Sequence, residues 1–360
     1  MTRQVPVFGV LLLVSLAASY ARWTSEKDSV DADTIYVLEA KADQITEVVW
    51  DSEKLDVTLT SQKDALGSYL MAHATEQKKR PIAKPDAPAA PEEVSVDENG
   101  DPVPEEEKAK EAPNFETYEV KSEFKAGVEA EKLWEALAPF EAKRALENVS
   151  DEKLEELGLK EPEATLTIKR AGKPDKVLQV GGESYGTKDR YVRDVETQRI
   201  YMVSDDTLRP LRFGTTRLPD RELIGLETGD MTDIVVETQA GKGAFKQNNA
   251  ADPKAAFWAA PGETTANESA GLWINKLIAL KSADFVQPED TPTSTTPALA
   301  VSVRAKDGST IQLEVLRGVD PDGKEAWYAK STYTRQLVKL HSSQVRDVVD
   351  DASTVLSPPE

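Results

Sequence analysis

Residues 45–52 read ITEVVWDS and residues 231–238 read MTDIVVET. Isoleucine answers methionine, threonine answers threonine, glutamate answers aspartate, and apolar or β-branched residues follow in both. Each stretch has strand composition, and a phrase stated twice in one chain points to a duplicated unit.

The twofold pattern continues along the chain. Arg190–Arg212 (RYVRDVETQRIYMVSDDTLRPLR) lies without a gap on Trp327–Val349 (WYAKSTYTRQLVKLHSSQVRDVV), at a constant offset of 327 minus 190, or 137. Tyr191 meets Tyr328, Ile200 meets Leu337, Val203 meets Leu340, Leu208 meets Val345 and Arg209 meets Arg346. Upstream, Leu166 and Ile168 meet Val301 and Val303 at an offset of 135. The change of two is even, so the alternating strand faces stay in phase. The hairpin between them absorbs it, with Asp307-Gly308 in the second copy and Gly172-Lys173-Pro174-Asp175 in the first. Leu137, Phe140, Ala145 and Leu146 meet Leu277, Leu280, Phe285 and Val286 at an offset of 140, inside stretches of helical period. The opening phrase has an offset of 186, so the first copy holds 186 minus 140, or 46, extra residues between its first strands and its helix.

Each unit reads as two or three strands, a helix, a meander of about four strands and a short closing helix. Ser204 or Asp205 caps the first closing helix, Thr207–Arg212. Ser342 or Ser343 caps the second, Gln344–Val349. In the first copy Ser150 caps another helix, which Gly158 stops and Pro162 prevents from continuing. The expected fold class is α+β, two tandem repeats of a mainly antiparallel sheet-plus-helix unit, preceded by a transmembrane or signal helix and interrupted by a disordered insertion. The expected divisions are residues 1–24 for the membrane segment, 33–215 for the first unit with the insertion at 77–114, and 222–356 for the second. That insertion is dense in Pro, Ala, Glu and Lys and almost free of large apolar residues, so burial cannot offset its conformational entropy.

The N-terminal run VPVFGVLLLVSLAASYA, residues 5–21, carries no charge and follows Arg3. Its apolar residues Val7, Phe8, Leu11, Leu12, Leu13, Val14 and Leu16 are the expected membrane anchor. Tyr20 and Trp23 suit an interfacial belt and favour a retained anchor; Ala17, Ala18, Ser19 and Ala21 suit a cleaved signal, and the chain is then secreted. Either way the bulk of the chain is expected outside the cytoplasmic membrane, in the periplasm. There are no cysteines, which excludes disulfides, thiolate metal ligands and a cysteine nucleophile. A formal charge of -20, from 64 acidic and 44 basic residues, repels a phosphate backbone, so nucleic acid is not an expected partner.

The run Ser150–Pro162 (SDEKLEELGLKEP), the strands ATLTI (164–168), VLQVGG (177–182) and DRYVRD (189–194), and RIYMVSDDTLRPL (199–211) together resemble the bacterial domain-of-unknown-function family DUF4340. The resemblance is best over 151–226 and extends to 231–355 as the second copy. It implies a secreted protein or one anchored by a single N-terminal helix, working as an extracytoplasmic auxiliary part of a gliding-motility-type ABC transporter. The shared motifs are turns and strands, so no functional position carries over.

Candidate chemistry is sparse. His73 and His341 are the only histidines and lie far apart in sequence. Gly181–Lys188 (GGESYGTK) has glycines but places Thr187 where a phosphate loop needs its lysine. Asp97–Asp101 and Asp320–Gly323 turn too early for a calcium loop. Asp205-Asp206 and Asp350-Asp351 sit at or within short helices, where capping and solvation account for them. Trp50, Trp134, Trp258, Trp273 and Trp327, with Tyr191, Tyr201, Tyr328 and Tyr333, fall mostly on positions that the repeat fills with apolar residues and read as core. No catalytic, cofactor or metal residue is expected. The expected function is non-enzymatic: a membrane-anchored extracytoplasmic binding protein whose partners are transporter or envelope proteins. The alternative is a glycan- or solute-binding module using the cleft between the repeats.

Overall fold

The computed structural model describes residues 34–81, 115–147, 149–252 and 254–356. The chain opens with β1 (Ile35–Leu38), then runs through β2 (Ile45–Ser52), β3 (Leu55–Asp64), β4 (Gly67–Pro81), β5 (Phe115–Lys125), α1 (Val128–Ala136), β6 (Phe140–Ala142) and β7 (Arg144–Leu146). It continues with α2 (Asp151–Glu156), β8 (Ala164–Arg170), β9 (Lys173–Glu183), β10 (Arg190–Asp194), β11 (Ile200–Val203), α3 (Asp205–Arg212) and α4 (Gly214–Arg217). The second half holds β12 (Met231–Thr238), β13 (Gly241–Asn248), β14 (Phe257–Ala259), α5 (Glu268–Ala279), β15 (Ser282–Phe285), β16 (Ser294–Ala305), β17 (Thr310–Val319), β18 (Glu325–Ser331), β19 (Leu337–Leu340) and α6 (Ser342–Leu356).

A nine-stranded sheet has the order β5-β4-β3-β2-β8-β9-β10-β11-β7, and an eight-stranded sheet the order β14-β13-β12-β16-β17-β18-β19-β15. Taken in chain order, the strands of the two sheets follow the same path, with β5 as an extra edge on the first. The pairing is antiparallel throughout the named strands, so the molecule is a sheet-rich α+β protein. In the central pairs and the last hairpins the registers agree to the residue. Val48 faces Ile168 and Trp50 faces Leu166; Ile234 faces Val303 and Val236 faces Val301. A register shift falls between Ile45 and Glu47 in the first sheet and between Met231 and Asp233 in the second. In the last hairpins Val192 faces Tyr201 and Ala329 faces Val338.

Strand burial alternates as a one-sided sheet requires: Ala164, Leu166 and Ile168 are buried along β8, and Val301, Val303 and Ala305 along β16. The helices supply the covering layer. Ala130, Leu133 and Trp134 are the buried face of α1, and Ala270, Trp273, Ile274 and Leu277 that of α5, at the three- and four-residue spacings of an amphipathic helix. The Trp134 indole N–H donates to the Ala42 carbonyl (3.1 Å) and that of Trp273 to the Val348 carbonyl (2.8 Å), so neither buried ring leaves an unmatched donor. Ser150 accepts from the Lys153 N–H at the start of α2, as its sequence demands. The apolar side chains of both halves form one contiguous core.

Several details depart from the sequence reading. Gln77–Pro81, expected within the disordered insertion, belong to β4 and pair with Phe115–Glu119 of β5. Paired backbone groups hold these polar residues in a ribbon without burying them. The rest of that insertion lies outside the described residues, as does the N-terminal segment with Val7, Phe8, Leu11, Leu12, Leu13, Val14 and Leu16. Among the described residues no helix is long and apolar enough to cross a membrane. The second closing helix starts at Ser342 and runs to Leu356, longer than Gln344–Val349. The short β1–β6 ribbon carried too few residues to leave a periodic signal.

Candidate binding surfaces

Most of the residues singled out for chemistry have structural roles. His73 is exposed on β4 with Nδ1 3.6 Å from Glu123, and His341 is exposed just before α6 on the other sheet. Gly181 and Gly182 end β9, where the Gly182 N–H donates to the Leu157 carbonyl (2.8 Å). A Cβ on Gly181 would meet that same oxygen at 2.4 Å, so these glycines admit the end of α2 against the strand. Asp320 accepts the Lys324 N–H (2.8 Å) and closes the β17–β18 turn. Asp351 pairs with Lys276 of α5 at 2.6 Å. Asp97–Asp101 lie outside the described residues. Trp50, Trp134, Trp258, Trp273, Tyr201 and Tyr328 are buried, whereas Trp327, Tyr191 and Tyr333 are only half-buried.

One end of the first sheet carries an ionic cluster that lines an open cavity of about 420 Å³. The buried Arg190 donates from Nε to Asp205 (3.2 Å) and from Nη2 to Glu183 (2.9 Å), and also from Nη1 to Glu163. Arg212 joins it through Asp205 (2.9 Å) and Glu163 (3.3 Å). Beside it Lys143 lies 2.7 Å from Asp189 and holds that carboxyl below the usual carboxylate range. At the sequence offsets of 137 and 135, Arg190 corresponds to Trp327, Arg212 to Val349 and Glu163 to Ala298. At that place the second sheet has an open cavity of about 570 Å³ lined by Trp327, Arg317, Arg346 and Thr296. Arg317 is held by both oxygens of Glu325 (2.9 and 2.7 Å).

The two sheets meet along β5. The chain leaving α4 passes against it, with the Asp220 N–H on the Lys125 carbonyl (2.9 Å) and the Gly127 N–H on the Leu218 carbonyl (2.8 Å). Lys125 Nζ lies 2.5 Å from Asp220 Oδ2, with both side chains only 8% exposed. Tyr333, from the β18–β19 turn, donates to the same oxygen at 2.6 Å, and its ring lies 3.6 Å from Lys125 Nζ. Burial lowers the Lys125 ammonium from its ordinary value despite Asp220, and burial together with the Asp220 bond pushes the Tyr333 phenol up. Two residues further on, Arg335 grips Asp64 through Nε (2.5 Å) and Nη2 (3.1 Å) and stacks on Tyr69 at 4.0 Å. That bond holds the Asp64 carboxyl below its usual range. Gln287 exchanges two hydrogen bonds with the backbone of Glu123 (2.9 and 3.2 Å), and Phe124 packs on Phe285 at 5.5 Å. Side chains of both sheets pack together at this junction.

The junction residues escaped sequence reasoning, although a signal exists. At the offset of 137, Tyr333 replaces Glu196 and Arg335 replaces Gln198. An aromatic and a guanidinium thus appear in a turn whose counterpart is plainly polar.

A second open cavity, about 490 Å³, lies where α5 begins beside β13 and β14. Phe257 and Trp258 form one wall, with Gly271 and the exposed Leu272 of α5 opposite. Gln247 is buried at its edge; its Nε2 donates to the Thr228 carbonyl (2.9 Å), while its Oε1 has no partner.

The family model described as "Domain of unknown function (DUF4340)" matches residues 128–298. That stretch belongs to the DUF4340 family. The DUF4340 match begins at α1 of the first sheet and ends within β16 of the second, so it includes the β8–β11 meander, the crossing segment and the first four strands of the next sheet. The DUF4340 stretch therefore crosses from one sheet to the other. No curated protein and no solved structure matches the chain.

Proposed function

We propose that the chain is a non-enzymatic extracytoplasmic auxiliary protein, tethered by its N-terminal apolar run and binding a protein partner of ABC-transporter or other cell-envelope type. We read its two sheets as tandem copies of one unit. Shared strand order, matching register of the central pairs and one coincident bulge support the duplication. The observation that carries the binding role is the contrast between the copies. Where the first unit lines its cavity of about 420 Å³ with charged side chains such as Lys143, Asp205 and Arg212, the second rims two open cavities with Trp327, Arg346, Phe257 and Leu272. Aromatic and arginine side chains of this kind are the usual anchors of protein interfaces. The test is cross-linking of the full chain in native membranes, followed by identification of what it joins. Transporter or envelope subunits are expected; recovery of none overturns the reading.

A glycan- or solute-binding role is favoured by one observation, the half-buried Trp327 between Arg317 and Arg346 in the 570 Å³ cavity. Saturable binding of acidic oligosaccharides, lost in Trp327→Ala, would support it.

A further inference from the structure

The 490 Å³ cavity is the second unit's counterpart of the surface on which the first unit receives Tyr333 and Arg335. The correspondence holds for the lining positions, whereas Asp64, which grips Arg335, falls on Ala250. Tyr69 faces Gln62 across the β3–β4 pair, and Phe257 faces Asn248 across the β13–β14 pair, with Gln62 and Asn248 separated by the repeat offset of 186. Leu70 and Trp258 follow at the next position. On the helical side, the offset of 140 places Gly127 on Asn267 and Glu131 on Gly271. In the first unit Gly127 lies against Asp220, and the Glu131 charge bears on the Tyr333 phenol. Asn267 and Gly271 line the cavity in the second. What the first unit covers, the second leaves open.

The empty place keeps complementary chemistry. Phe257 offers a ring where Tyr69 stacks on a guanidinium. The buried Gln247 Oε1 is an acceptor lacking a donor, which costs stability until one arrives. Glu268 supplies negative charge at the rim. Leu272 is 66% exposed on the same wall, an apolar side chain waiting to be covered. We propose that this cavity binds a β-turn of a partner protein that carries an aromatic residue and, two positions later, an arginine. The occupant repeats the mode by which the chain's own Tyr333-Thr334-Arg335 turn seals the two units, so the contact is heterologous rather than two-fold. This rests on the protein-binding reading and names its surface.

The chain's own turn supplies the probe. Residues 329–338 (AKSTYTRQLV) begin and end on a cross-strand pair, Ala329 facing Val338, and can be cyclised there by a D-Pro-Gly link. Calorimetric titration of the full chain with this cyclic peptide is expected to show saturable one-to-one binding. Alanine at either the tyrosine or the arginine of the peptide should weaken it at least about tenfold. A Cβ at Gly271 meets nothing within 4 Å, so Gly271→Phe fills the cavity without a backbone clash; it should keep the wild-type melt and lose the peptide. No saturation by the wild-type chain, or equal binding by Gly271→Phe, overturns the proposal. Cross-linking of Gly271→Phe in membranes separates the two readings. Loss of the subunits that the wild type joins supports this surface. Their retention leaves the auxiliary role standing and removes the cavity from it, whereas failure of the wild type to join any subunit tells against the auxiliary role.

Discussion

Gln198 and Arg335 hold the same left-handed backbone position in equivalent turns, with φ of 59° and 61°, yet only Arg335 reaches the other sheet. Gln198 bonds back to the Val195 carbonyl (2.6 Å) and to Arg193, and its turn stays at the surface. One fold thus uses one turn twice, once as a plain hairpin end and once as a clasp.

Asp220 takes both Lys125 and Tyr333, so removing the cation strands a buried carboxylate. Lys125→Met is expected to lower stability by about 3 kcal/mol. Adding Asp220→Asn should restore much of that loss, because the unpaired charge leaves with it. Urea melts of the two single variants and the double variant give the coupling directly.

Gly225 has φ 66°, and a Cβ there would meet the Tyr333 ring at 2.1 Å. Gly225→Ala should displace that ring and loosen the junction while leaving both sheets folded. Hydrogen exchange is expected to rise along β5 and the segment 219–226, with the centres of β8 and β16 unchanged.

Acid should weaken the protein through its paired aspartates. Burial alone would raise the Asp194 carboxyl, but the bonds from Lys176 (2.6 Å) and Thr197 (2.5 Å) outweigh it and hold it low. Its contribution is complete above the unfolded value of about 3.9 and is lost as pH falls through the depressed folded value. Asp194→Asn should therefore cost about 2 kcal/mol at neutral pH and flatten the decline of stability below about pH 4. Melting temperature followed against pH checks both parts.

The β4–β5 pairing runs to Pro81 facing Phe115, so the two strand ends already meet. Replacing residues 82–114 by Asn-Gly should leave a cooperative melt with its midpoint nearly unchanged, since a shorter loop has less closure entropy. A chain that no longer melts cooperatively would contradict this.

How far the fold was legible follows from where its signals lie. Offsets between Leu166 and Val301, or Tyr191 and Tyr328, were readable because strand faces must alternate and a register cannot slip by one without turning the core outward. The extension of β4 over Gln77–Pro81 was hidden, since its stability comes from backbone pairing and its side chains are those of a solvated tract. The candidate surfaces were harder still. Gln247 looks like any polar strand residue, and only the coordinates show that its carbonyl oxygen is buried without a donor. Lys125 and Asp220 lie far apart in sequence, and nothing in their neighbours announces that they meet.

The clasp also has an order in time. Lys125 and Asp220 are made well before Tyr333 and Arg335, so during synthesis the first unit can complete its own sheet while its docking face stays bare. Only the arrival of the last hairpin covers the buried charges, which makes a full-length chain physically distinct from one that stops early. Any truncation before the β18–β19 turn would leave that charged, partly apolar face open to proteases.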